Sequence, residues 1–298
     1  MSKFLKLTIV AFSLLALIGC SQEEKGEFYL PKTVTIYISD MDGSEYREFR
    51  RFEYEYENGY PIKCTLYENG GESSIVTEMR YQFDGELPLK REDINEAGQV
   101  ERTVEYNRGR VYLTTSDSEF AKYQSIFQYN LDDDYFTSVL HVRNSKEEEY
   151  AFTMEEIDSI QVYEENGLLA KTVNSGLYAN WNDGEEKEWM RFNGTYGLEY
   201  ENGIVIRNHD AYRAGGDPID FHFELNKENG LLMEAVKMMH YKGDEQATPD
   251  RRIVFEYSDI KTDEARYTRM VNAHLIDGDN NYYIFNGNFN CNLNSFCL

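Results

Sequence analysis

Phe52-Glu53-Tyr54-Glu55-Tyr56-Glu57-Asn58-Gly59 alternates an aromatic ring with a carboxylate for six residues and then stops at Asn-Gly. Side chains on a β-strand point alternately to its two faces, so this stretch predicts a strand with one aromatic face and one acidic face. The terminal pair tolerates the positive φ angles of a tight type I′ hairpin, which predicts an immediate chain reversal. Two-faced alternation returns in Met79-Arg80-Tyr81-Gln82-Phe83, in Phe221-His222-Phe223-Glu224-Leu225 and in Ile253-Val254-Phe255-Glu256-Tyr257. Each reads as a strand buried on one side.

Asn-Gly recurs at 69–70, 166–167, 202–203 and 229–230, and Asp84-Gly85, Ala97-Gly98 and Arg108-Gly109 are further turn signals. Turn glycines at 59, 70, 85, 98 and 109 are 11, 15, 13 and 11 residues apart, the spacing of successive hairpins. Helix signals are few: Thr153 with Glu156 forms a capping-box pattern before Ile157 and Ile160, and Ser116 to Lys122 suits a turn or two. The expected fold is therefore all-β: an antiparallel meander of hairpins, as one extended sheet or as packed sheets, with few short helices. No Pro-rich or Ser-rich linker divides the body, and the one weak sub-boundary is the charged run 144–149.

The unit Tyr54-Glu55-Tyr56-Glu57-Asn58-Gly59 returns loosely as Tyr163-Glu164-Glu165-Asn166-Gly167 and as Tyr200-Glu201-Asn202-Gly203. Over much of residues 50 to 260 the chain resembles lipoproteins and wall proteins with YD-type repeats, relatives in pattern of the RHS repeat. That resemblance implies antiparallel sheet growing by one hairpin per repeat, and it implies no activity.

The N-terminus carries a different signal. Lys3 and Lys6 precede an apolar run from Leu7 to Ile18, interrupted only by Thr8 and Ser13, and Gly19-Cys20 follow. This is the layout of a signal peptide, and the run is too short for the roughly 20 helical residues that span a bilayer. Leu17-Ile18-Gly19-Cys20 resembles the lipobox of bacterial lipoproteins, which implies cleavage before Cys20 and acylation of its thiol. Residues 20–30 form an acidic tether and 31–298 the β-rich body. The acidic Ser21-Gln22-Glu23-Glu24-Lys25-Gly26-Glu27 also resembles the surface-export signal of Bacteroidota lipoproteins, which implies a place in the cell envelope, at the outer membrane and facing outward.

Net charge is −24, and removal of residues 1–19, which hold Lys3 and Lys6 and no acid, takes it to −24 − 2 = −26. A field of that sign repels phosphate backbones and anionic headgroups, so nucleic acid is not an expected partner. Of the four cysteines, Cys20 is assigned to lipid. In an oxidising envelope Cys291 and Cys297 are close enough in sequence to pair as a disulfide, which leaves Cys64 as a buried thiol.

Chemistry-bearing clusters are weak. Asp220, His222 and Glu224 fall on one face of a strand and could ligate a metal if His209 or His240 joined them; a solvated polar face opposite Phe221 and Phe223 explains them without further assumption. Asp40-Met41-Asp42-Gly43, Asp132-Asp133-Asp134 and Asp277-Gly278-Asp279-Asn280-Asn281 do not follow the EF-hand spacing and read as turns. Trp181 and Trp189, amid many tyrosines, could stack on sugar rings, although cross-strand packing accounts for such aromatics as well. No nucleophile elbow, phosphate loop or metalloprotease helix is present. The expectation is a membrane-anchored, non-catalytic binding or assembly module with no cofactor, its partner a glycan or an envelope protein. An envelope hydrolase with a carboxylate pair hidden in the sequence is the alternative.

Overall fold

The computed structural model describes residues 27–40, 45–108, 110–117, 121–129, 136–145, 157–163, 169–180, 188–212, 218–240 and 246–277. They form sixteen strands: β1 (Phe28–Ser39), β2 (Tyr46–Glu57), β3 (Tyr60–Glu68), β4 (Ser73–Asp84), β5 (Leu87–Ile94), β6 (Val100–Asn107), β7 (Arg110–Asp117) and β8 (Ala121–Tyr129). Then come β9 (Phe136–Ser145), β10 (Ile157–Tyr163), β11 (Leu169–Asn180), β12 (Glu188–Glu201), β13 (Ile204–Tyr212), β14 (Pro218–Glu228), β15 (Leu231–His240) and β16 (Thr248–Thr262). One helix, α1 (Glu264–Asp277), follows β16. The antiparallel meander expected from the alternation is present.

Each strand pairs with the next, and β1 also pairs antiparallel with β16 through Val34↔Phe255 and Ile36↔Ile253. The sheet therefore closes on itself as a barrel, which removes both free edges. β9 pairs with β8 on one side and with β10 on the other. Asn58, Asn69, Asn202 and Asn229 take positive φ with their following glycines, as the hairpin reading requires.

Where a helical turn is expected, the described residues are strand. Ser116 on β7 pairs with Tyr123 on β8, and Ile157 and Ile160 lie on β10. An isolated turn of helix is marginal in water, whereas a neighbouring strand satisfies every second backbone group, so the ladder wins.

One face of the ladder is continuous from strand to strand. Val34 pairs with Phe52 and Phe52 with Leu66; Tyr54 pairs with Cys64 and Cys64 with Thr77; Arg91 pairs with Val104, Val104 with Thr114 and Thr114 with Ser125. All of these are buried, including those on β5 to β8, well round the ladder from the main contacts of α1 with β1, β13 and β16. That face is the interior. The core joins Leu30, Val34, Phe52, Tyr54 and Leu66 to Phe221, Phe223, Ile253 and Phe255, and α1 adds Tyr267, Met270, Val271 and Leu275.

Asp263 caps α1 by accepting a hydrogen bond from Arg266 N at 2.7 Å. Asn272 then bridges to β13, accepting from Val205 N at 2.9 Å and donating to Gly203 O at 2.7 Å. Arg266 donates to Gly59 O in the β2–β3 turn, so α1 ties together two hairpins that are distant in sequence.

Candidate functional site

The strand that carries Asp220, His222 and Glu224 behaves as its alternation implies: Phe221 and Phe223 are buried, while Glu224 is exposed and His222 half-buried. β14 is paired with β15 so that Asp220 stands opposite His240 and His222 opposite Met238. This brings His222 Nδ1 to 3.0 Å from His240 Nε2, with ring centroids 5.1 Å apart. His240 is thus the fourth group considered from sequence, and it does reach His222. Two imidazole nitrogens fall short of the three or four protein ligands of a zinc site, and among the described residues no group of three or more His, Cys, Asp or Glu side chains converges. The pair can share one proton-mediated bond. His209 lies on β13 opposite Gly197, and on its other side falls in the register shift between Asn208↔Phe221 and Ala211↔Ile219, next to the β14 segment that carries His222.

Trp189 stands on β12 opposite Ala179 of β11. Trp181, Cys20, Cys291 and Cys297 lie outside the described residues, as do Asp42, Asp132 to Asp134 and Asp279. Asp40 behaves as turn chemistry: its Oδ1 accepts from Glu45 N at 3.1 Å, and its own N–H donates to Glu45 O at 3.0 Å.

The interior holds charge that sequence reasoning missed. Arg91 Nε lies 2.8 Å from Asp93 Oδ1, and Arg102 Nε lies 2.9 Å from Asp93 Oδ2, with Arg91 and Asp93 at 0% and 1% side-chain exposure. On β15, Lys237 Nζ sits 4.1 Å from the centroid of the Phe221 ring and 3.6 Å from Asp250 Oδ2. One carboxylate held between two guanidiniums is a locked ion cluster that pins the register of β5 against β6.

A second buried polar group joins α1 to the sheet. His274 is fully buried and rests against Phe52, with ring centroids 5.2 Å apart, and against Phe255 at 6.1 Å. Burial pushes its imidazole well below the ordinary value, to about 3. Cys64 is buried and, among the described residues, in no disulfide; burial pushes its thiol up to about 12, only partly countered by a hydrogen bond from Tyr54. Neither a thiolate nucleophile nor an acid–base histidine is available there at neutral pH.

The outward face is charged across mid-strand positions. Glu55 pairs with Lys63 and Lys63 with Glu78; Arg80 pairs with Glu92 and Glu92 with Thr103. Lys63 Nζ reaches Glu55 Oε1 at 2.8 Å, and on the other flank Arg252 Nε reaches Glu234 Oε2 at 2.9 Å.

No family model matches the chain, and no curated protein sequence does. Solved structures do match in fold. The crystal structure of a porin-like protein from Bacteroides uniformis superimposes with a TM-score of 0.51 at 11% identity, over 79% of this chain and 100% of its own. A porin-like protein from Bacteroides vulgatus gives a TM-score of 0.46 at 11% identity, over 78% of this chain and 100% of its own. At that identity the likeness to the first is a likeness of all-β antiparallel fold.

Proposed function

We propose that this chain is a lipid-anchored envelope protein whose barrel stands outside the hydrocarbon and acts by binding or assembly, without catalysis. The observation that carries this is the assignment of the two faces. A barrel that spans a membrane turns its apolar side chains to lipid and its polar ones to the lumen. Here Phe52, Tyr54, Phe223 and Phe255 point inward, and α1 packs on them, while Glu55, Lys63, Glu78, Arg80 and Glu92 point outward. A Lys or Arg facing lipid at the midplane costs about 2–4 kcal/mol, so this outer face belongs in water.

Attachment then falls to Cys20, through the lipobox-like Leu17-Ile18-Gly19-Cys20. Two or more acyl chains give durable anchoring where one gives only marginal binding. The acidic residues behind Cys20 support an outer-membrane, outward-facing position in a Bacteroidota-type cell, and the fold likeness to the porin-like protein from Bacteroides uniformis is compatible with that address. The partner is a glycan or an envelope protein, with Trp181 and Trp189 as the aromatic contacts. The test is to fractionate cells carrying Cys20→Ala and to incubate purified protein with polysaccharides, peptides and glycosides, scoring retention and product release. Release of the variant from membranes, and retention lost on replacing Trp181 or Trp189, support the reading. Turnover abolished by a single Asp or Glu substitution overturns the non-catalytic assignment.

A further inference from the structure

The meander gives the barrel two unlike ends. Asn58-Gly59, Asp84-Gly85, Arg108, Asn202-Gly203 and Asn229-Gly230 all lie in hairpin turns at one end, because each follows an even-numbered strand and precedes the next. β1 starts at that same end: Phe28 pairs with Thr262 at the close of β16, and Thr33 pairs with Glu53 near the close of β2.

Among the described tight turns, the β4–β5 hairpin exposes the most apolar surface beside its turn, although its apex Asp84-Gly85-Glu86 is polar; near the β6–β7 turn Tyr112 is exposed at 40%. The β4–β5 hairpin exposes Phe83 at 46%, Leu87 at 51% and Leu89 at 46%, with Tyr60 and Tyr81 packed behind Phe83 at centroid distances of 5.5 and 5.7 Å. The tips at Glu57-Asn58, Asn107-Arg108, Glu201-Asn202 and Glu228-Asn229 expose polar side chains. At the opposite end Ile75 and Val100 are also exposed, but singly and on separate, non-adjacent strands.

We propose that the tight-turn end of the barrel rests on the bilayer surface, with the β4–β5 tip of Phe83, Leu87 and Leu89 inserted among the headgroups. This rests on the reading that Cys20 is acylated. Cys20 precedes Phe28 by eight residues, which reach at most about 28 Å when fully extended, less than the roughly 40 Å contour of the twelve-residue β1. The anchor therefore holds the start of β1 close to the membrane. Three ladder steps separate β1 from β4, about 14 Å at the spacing of neighbouring strands, so the β4–β5 tip lies within that reach. The charged outer face keeps the barrel from lying on its side in the interface. Asp84 and Glu86 sit at the apex of the turn, between Phe83 and Leu87, so contact is made by the apolar side chains beside the turn, with the two carboxylates at headgroup level, and favours zwitterionic over anionic lipid. The other end then faces outward.

The experiment uses the full acylated chain in phosphatidylcholine vesicles doped with a diazirine-bearing phosphatidylcholine, irradiated, digested and mapped by mass spectrometry. Lipid adducts are expected on residues 81–90 and not on 69–76 or 95–101. Phe83→Ser/Leu87→Ser/Leu89→Ser should cut tip adducts about tenfold, from the apolar area lost, while flotation with the vesicles is unchanged. Flotation without tip adducts, or adducts spread equally over both ends, overturns this proposal and leaves the anchor standing. Loss of flotation by the unaltered chain overturns both. Cross-links from the tip to a second copy or to another protein in whole envelopes, with no lipid adducts, overturn it in favour of a protein partner.

Discussion

The hydroxyl of Tyr54, on the second strand, lies 3.2 Å from Nε2 of His274, in the helix that follows the last strand, and the two share a buried hydrogen bond. The other ring nitrogen, Nδ1, is buried with no hydrogen-bond partner among the described residues. The ring is thus held neutral, and among the described residues its polar contact is to a side chain of distant sequence.

That neutrality sets a pH dependence. The folded imidazole takes up a proton only near pH 3, whereas the unfolded one does so at its ordinary value of 6.5. Between those values the unfolded chain binds more protons, so stability falls as pH is lowered, by up to about 1.4 kcal/mol per unit. Above 6.5 this group contributes no slope. Urea unfolding at pH 7.0, 6.0 and 5.0 should show the loss, and His274→Leu should flatten it over that window; an equal slope in the variant would refute the assignment.

Asp93→Asn should be severely destabilising. It removes the carboxylate held between the buried Arg91 and Arg102, and breaking a buried ion pair on one side costs about 3–5 kcal/mol. Glu55→Gln breaks an exposed pair with Lys63 and should leave the unfolding midpoint nearly unchanged. The comparison of the two denaturation curves is the check.

Gly203 and Gly85 both have positive φ, at 76° and 61°, but their surroundings differ. A Cβ on Gly203 would come 3.1 Å from Thr268 Cγ2 of the helix, whereas one on Gly85 would meet nothing within 4 Å. Gly85→Ala should cost about 1–2 kcal/mol from backbone conformation alone. Gly203→Ala should cost more, because the helix must shift away from the turn, and adding Thr268→Ser, which removes the crowding methyl, should recover the difference in thermal unfolding.

Cys64 should resist alkylation in the folded protein, since its thiol is buried and its pKa is pushed up to about 12. In unfolded, unreduced, exported protein it should be the one thiol that reacts, with Cys291 and Cys297 joined. Intact mass after alkylation decides: three labelled thiols would exclude the disulfide.

Legibility followed the range of each signal. The aromatic face of Phe52 and Tyr54 and the turns at Asn58 and Asn202 depend on neighbours in sequence, and the alternation showed them. Closure depends on Val34 meeting Phe255, and the alternation within each strand is the same for an open sheet as for a closed one. The cluster at Arg91, Asp93 and Arg102 looks like solvated charge in any local window; only the register between the fifth and sixth strands puts it inside. The final helix was readable and was missed. Tyr267, Met270, Val271, His274 and Leu275 repeat at helical spacing behind Asp263, a capping residue. Of the two histidines the sequence offers as neighbours of His222, His209 and His240, His240 reaches it across the β14–β15 hairpin.

The pairing of the first strand with the sixteenth also orders events in time. A chain made from its N-terminus presents Phe28–Ser39 with one side satisfied by the second strand and the other side bare until Thr248–Thr262 has been synthesised. For that whole interval the nascent sheet carries an open strand able to recruit any extended segment it meets. Folding must therefore be slow or shielded, and truncation anywhere before the last strand should yield aggregates rather than a smaller barrel.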